Sequence, residues 1–279
     1  MFVSLVLAAA LDAGAFSYDA NAPLNVRYGA VVRRDGVSVR DVSFSSTTGH
    51  TVTGIVVRGV GGAAHPAVLF VHWLGDDAKT TNHAEFETDA IALARKGVTS
   101  LAVDAMWSQP DWYDKVRKFQ TDYADSIAQV IDLRRSLDVL LAQPGVDAKR
   151  LAYVGHDFGS MYGSLLAGVD PRPQWYVLMA GTTTFTEWYL LGGNPPDVKA
   201  YIAQMEPLDP LAFLARSNAR GFYFQFSAHD HYISPEHEAA FFAAAPLPRT
   251  MALYDVDHSL ATPAAWADRL AWLTEKLQL

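Results

Sequence analysis

Six short apolar runs, at residues 67–72, 98–103, 151–155, 175–180, 221–226 and 251–256, alternate along the chain with segments of helical period. Strands that are apolar along their whole length are covered on both faces, and when helices join them they form a parallel sheet. Ahead of these runs, residues 26–34, 38–46 and 51–58 alternate polar with β-branched side chains. They are separated by Asp35-Gly36 and Thr48-Gly49, the pattern of an antiparallel meander. The fold class is therefore α/β: a mostly parallel central sheet with an antiparallel N-terminal edge and helices on both faces. Half of the 279 residues are apolar and 19% are charged, enough to bury one core of that size.

Helices are expected at 84–96, 122–143, 158–168, 235–244 and 263–277. In 122–143, Ile127, Val130, Ile131, Leu133, Leu137, Leu140 and Leu141 recur at helical spacing, while Asp132, Arg134, Arg135 and Asp138 fall largely on the surface side. Pro144-Gly145 then ends the helix. Two segments fit neither class: 105–121, rich in Trp, Tyr and Pro, and 182–218, which contains Pro195-Pro196 and two further prolines. Both leave the sheet at its carboxyl edge, where α/β proteins place ligands. They read as loops covering a site, the second as a small cap inserted in a single domain over 26–279.

Residues 1–25 stand apart. The apolar run 2–11 precedes Ala13-Gly14-Ala15, which has the small-x-small form of a signal-peptidase site, but no Lys or Arg comes before it and Asp12 interrupts. The balance favours a helix packed on the domain and a cytoplasmic protein; a periplasmic or secreted location follows if residues 1–15 are a signal peptide. Ten apolar residues are too few for a transmembrane span, which needs about 20. A net charge of −8 without a long basic run excludes nucleic acid as a partner. With no cysteine, disulfide and thiolate chemistry are excluded too.

The chemistry centres on Gly155-His156-Asp157-Phe158-Gly159, which follows an apolar strand and opens a helix of small residues. So tight a strand-turn-helix leaves no room for side chains two positions either side of the central residue, and it presents that residue beside helix N-terminal N–H groups. Taken alone, the pentapeptide is more readily a turn whose aspartate caps the next helix. Two further features alter the balance. Asp230 lies in the loop after the strand at 221–226, and His258 lies just after the last strand, giving nucleophile, acid and histidine in the order 157, 230, 258. In the loop after 67–72, Trp73 N–H is expected to pair with Phe158 N–H as an oxyanion hole. His72, Leu74, Trp107, Trp188 and Tyr189 are candidates to line the substrate pocket, with Trp112, Tyr113 and Tyr201 as further aromatic candidates. Glu187 is an alternative acid. Tyr162 reads as core and Asp104 as structural. His229, His231 and His237 lack the spacing of a zinc pair, so neither metal nor cofactor is expected. The partner is a small-molecule substrate, and the chain a monomer or homodimer.

Over residues 38–279 these features resemble the α/β-hydrolase superfamily, and within it the dienelactone-hydrolase-like branch. The likeness rests on His72-Trp73-Leu74-Gly75, the helix segment Asp132-Leu-Arg-Arg-Ser-Leu-Asp138, Val146-Asp147-x-x-Arg150 running into Tyr153-Val154-Gly155-His156, and Asp230 with His258. Dienelactone hydrolase uses cysteine and esterases of the branch use serine where this chain has Asp157. Aspartate in the form Gly-His-Asp-Phe-Gly is similar to haloalkane and haloacetate dehalogenases and epoxide hydrolases, although their usual His-Gly-x-Pro oxyanion loop and larger cap are missing here. The resemblance implies a hydrolase in which Asp157 attacks an epoxide or halogenated carbon. The alternatives are a lactonase or esterase, and a binding protein that keeps the pocket without turnover.

Overall fold

The computed structural model describes residues 11–59, 64–75 and 79–279. Among them the chain forms β1 (Arg27–Tyr28), β2 (Val32–Arg34), β3 (Val37–Ser45), β4 (Thr51–Arg58), β5 (His65–Val71), β6 (Thr99–Val103), β7 (Val146–His156), β8 (Trp175–Met179), β9 (Gly221–Ser227) and β10 (Arg249–Tyr254). They join in one sheet of order β1-β3-β4-β6-β5-β7-β8-β9-β10, with β2 also paired to β3. Pairing is antiparallel from β1 to the β4–β6 contact and parallel from β6 to β10. The meander and the parallel block are both where the patterning put them, but the run at 26–34 is broken into two short strands.

From β5 the chain moves outward to β6, then crosses back to β7 on the other side of β5. The loops after β5 and β7 therefore meet at the carboxyl ends of the strands where the strand order reverses, the position at which α/β proteins place ligands. β6 and β9 are buried along their whole length, and so are the last six residues of β5. Each fully buried Val, Leu or Phe there contributes roughly 1.5–3 kcal/mol to the stability of the strands that carry these loops. β10 differs from expectation: it is the edge strand, and Met251 and Leu253 are exposed.

The helices are α1 (Glu87–Ala94), α2 (Asp122–Leu141), α3 (Phe158–Val169), α4 (Phe185–Tyr189), α5 (Val198–Met205), α6 (Pro210–Ala215), α7 (Pro235–Ala244) and α8 (Pro263–Lys276). They cover both faces: α1 packs with α8, α2 with α3, and α3 with α6. The α1–α8 contact carries a buried bidentate pair, Arg269 to Asp89 at 2.6 and 3.1 Å. A 3-10 turn, His83–Phe86, precedes α1.

The polar residues of α2 are not the solvent face they were expected to be. Arg135 is fully buried, donating to Ala22 O and Asp138, and Arg134 donates to Phe16 O. Asp132 accepts from Ser46 and Thr48. Residues 11–25 lie over this helix, with Phe16 buried edge-on against Phe213 of α6, so carbonyl groups of that segment accept from both arginines. Most of the apolar run 2–11 lies outside the described residues. No described helix is long and apolar enough to cross a membrane.

Candidate functional site

Asp157 stands between β7 and α3 with φ 56° and ψ −117°, a conformation a non-glycine residue adopts only where its surroundings force it. Two glycines permit the turn. A Cβ on Gly155 would sit 2.2 Å from Gly159 O, and one on Gly159 would sit 2.2 Å from Val71 O. Asp157 N–H donates to Met179 O and Met161 N–H to Asp157 O, which ties the turn to β8 and α3. Its carboxylate makes no cap to α3, so the bland explanation of a capping aspartate does not apply. Instead Oδ2 accepts from Leu74 N–H at 2.8 Å, and Oδ1 lies 3.7 Å from His258 Nε2.

His258 Nδ1 meets Asp230 Oδ2 at 2.7 Å, while Asp230 Oδ1 accepts from the N–H groups of Tyr232 and Ile233. Burial alone would depress the imidazole. The carboxylates of Asp157 and Asp230 outweigh it and raise its pKa to about 9. Burial likewise pushes Asp230 upward, but His258 and the two N–H donors reverse this and hold it below the ordinary carboxylate value. Glu187, the alternative acid, is instead engaged by Thr182, Thr183 and His237.

The loop after β5, expected to supply an oxyanion donor, is built differently from the sequence expectation. Trp73 N–H is taken by Glu85 Oε2 at 2.7 Å, so it cannot serve a substrate, and Leu74 N–H takes the place facing Asp157. His72 is the reason. Its Nε2 accepts from Ala105 N–H at 3.0 Å, which puts the ring proton on Nδ1, where it donates to Trp73 O at 2.7 Å. Trp73 C=O and Leu74 N–H belong to one planar peptide, so fixing the carbonyl aims the N–H. Burial depresses His72 to about 4, in keeping with this neutral role. His72 thus lies behind the loop and does not line a pocket. Phe158 opens α3, leaving its N–H among the helix's first donors, which have no intrahelical acceptor.

Most of the aromatic candidates are structural. Trp107 is fully buried with its indole N–H on His72 O, and the Tyr189 hydroxyl bonds Tyr162 at 2.6 Å. Tyr113 donates to Trp188 O and Tyr201 to Asp122, while Trp112 packs edge-on against Phe158. Trp188 alone of the set reaches the histidine, its ring edge-on at 6.1 Å. Its buried Nε1 has no hydrogen-bond partner among the described residues. Tyr232, which the motifs did not single out, lies 5.0 Å from the His258 ring and is half exposed. Its place two residues after Asp230 was the only available signal. The site is tight: Asp157 is 5% and His258 9% exposed.

No protein-family model matches the chain, and no curated protein matches it in sequence. Solved structures do. An acetyl xylan esterase from Paenibacillus sp. R4 superposes with a TM-score of 0.72 at 18% identity, over 91% of this chain and 89% of that one. Acetyl xylan esterase 1 from Thermoanaerobacterium sp. JW/SL YS485 gives 0.71 at 14%, over 92% and 89%. A putative dienelactone hydrolase from Klebsiella pneumoniae subsp. pneumoniae MGH 78578 gives 0.61 at 17%, over 86% and 98%. At such identities the likeness is one of architecture, and this chain has the α/β-hydrolase fold.

Proposed function

We propose that the protein is a hydrolase that works through a covalent ester on Asp157, acting on a small epoxide or halogenated molecule. The observation that carries this reading is the engagement of Asp157 Oδ2 by Leu74 N–H. An esterase needs that donor free for the oxyanion of its substrate. Here the nucleophile's own oxygen occupies it, leaving Oδ1 as the attacking atom.

In the first step Oδ1 displaces halide, or opens an epoxide, at an sp³ carbon; the C–O bond to Asp157 forms as the leaving-group bond breaks. The Trp188 N–H, which has no hydrogen-bond partner among the described residues, is suited to hold the leaving atom as it gains charge. Esterification removes the negative charge of Asp157, one of the two that keep His258 protonated. The imidazole then gives its proton to the alkoxide of an opened epoxide, or to solvent where halide has left, and takes another from a water that attacks the ester carbonyl. The tetrahedral oxyanion develops on Oδ2, already placed at Leu74 N–H. Collapse breaks the C–O bond as His258 gives its proton to the departing oxygen, releasing the alcohol, and the acid proton left on Asp157 passes to the imidazole, restoring the carboxylate and the imidazolium.

The second reading is an esterase or lactonase, favoured by the names of the similar solved structures. Attack by Asp157 on a carboxylic ester would give an anhydride of poor equilibrium, so this reading needs Asp157 to act as base on water. His258→Ala, exposed to a panel of epoxides and haloalkanes and weighed intact, separates the alternatives. A stable adduct mapped to Asp157 supports the ester intermediate. Turnover of activated esters without an adduct supports the esterase, and saturable binding without either supports a binding protein.

A further inference from the structure

A second acid–imidazole pair lies beside the first, in residues that the proposed chemistry does not use. His156, fully buried, meets Glu85 Oε1 through Nδ1 at 2.6 Å and His258 O through Nε2 at 3.1 Å. Glu85 Oε2 accepts Trp73 N–H. The Trp73 indole stacks on the His156 ring, with centroids 5.0 Å apart and planes 6° from parallel.

We propose that Glu85 is a positioning residue that ties together the oxyanion loop, the Asp157 turn and the His258 loop through one carboxylate and the His156 ring. An acid in the first turn of a helix is ordinarily explained by the helix dipole. That explanation fails for Glu85, whose two oxygens are directed at Trp73 and His156. The Asn82 side chain, accepting from Ala84 N–H at 2.8 Å, fixes the turn from which Glu85 projects.

Each of the three tethered loops supplies one working group: Leu74 N–H, the Asp157 carboxylate and the His258 imidazole. They come from separate parts of the sheet; Asp157 Oδ2 meets Leu74 N–H directly, and the loops are further joined through Glu85 and His156, which contact Trp73 N–H and His258 O. The Nε2–Oδ1 separation of 3.7 Å between His258 and Asp157 depends on the backbone at 258, which His156 holds by its carbonyl. Glutamine at 85 can keep every tie: its oxygen accepts from Trp73, and its NH₂ donates to an unprotonated His156 Nδ1. Methionine fills the same volume and keeps none.

The kinetic part of this inference rests on the ester intermediate, whereas the structural part does not. The test compares Glu85→Met and Glu85→Gln with the parent protein in two measurements. The first follows the His258 ring by long-range nitrogen–proton NMR across pH, and the second follows adduct formation and decay in a single turnover. In Glu85→Met, His258 is expected to titrate at least one pH unit lower and the adduct to decay at least tenfold more slowly, with adduct formation changed less than threefold. Glu85→Gln should restore both. If Glu85→Met does not fold, Glu85→Asp serves, since its carboxylate is one methylene too short to hold both partners. A lowered melting temperature with unchanged His258 titration and unchanged decay overturns the proposal. So does a Glu85→Gln variant as impaired as Glu85→Met. If the parent protein forms no adduct, the ester reading fails and the NMR titration still decides the role of Glu85.

Discussion

Replacing Asp157 by asparagine should lower the titration of His258 and, in doing so, reproduce the charge change that esterification brings. The imidazole is raised from 6.5 to about 9 against a burial that opposes the charge. That difference corresponds to roughly 3 kcal/mol of preference for the protonated ring. At the observed 3.7 Å, one unit charge attracts another by about 4.5 kcal/mol with an effective dielectric near 20 and by about 1 kcal/mol in water, and a site with some exposure lies between these limits. Losing Asp157 therefore removes a large share of the preference, and Asp230 at 2.7 Å keeps the remainder. The expected fall is about 1–2 pH units. NMR of the ring nitrogens across pH 5–10 in both proteins measures it directly. A stability effect accompanies the shift. Because the folded pKa is raised, the contribution of His258 is fully present below pH 6.5 and is lost as pH rises through about 9. Chemical denaturation should accordingly show a shallower alkaline decline for Asp157→Asn. An unchanged His258 titration in the variant would refute the idea that ester formation turns this histidine into a base.

Trp188→Phe keeps the ring packed on Phe158 but removes the indole N–H proposed to hold the leaving atom; adduct formation with a haloalkane should slow by tenfold or more, while adduct decay in the same experiment stays within threefold. Arg269→Met leaves the Asp89 carboxylate buried without its partner and should cost about 3–5 kcal/mol in urea unfolding.

The parallel block and the Asp157 turn were legible because local rules dictate them: fully apolar runs mark strands buried on both faces, and the glycines at 155 and 159 mark a backbone approach that admits no Cβ. The order 157, 230, 258 was legible because topology sends those loops to one edge of the sheet. The detail of the loop after β5 was not. Which of two consecutive N–H groups faces Asp157 depends on the His72 ring binding Ala105, and on Glu85 reaching Trp73 from a turn twelve residues away. No spacing rule carries either contact. Trp107 and Tyr189 were misplaced for a related reason: an aromatic near a strand end serves a pocket or a core equally well, and here buried hydrogen bonds to His72 O and Tyr162 fix them in the core. The burial of Arg135 was hidden because the segment that covers it, around Ala22, lies more than a hundred residues away in sequence.

The most direct measurement is a single turnover of the wild-type protein, in excess over an epoxide or haloalkane it consumes, in heavy-oxygen water, followed by mass analysis of the peptide containing residue 157. Hydrolysis of an ester at its carbonyl carbon places the heavy oxygen in the Asp157 carboxylate and leaves the first-formed alcohol unlabelled. Label found in the alcohol alone, with Asp157 unlabelled, would contradict the account.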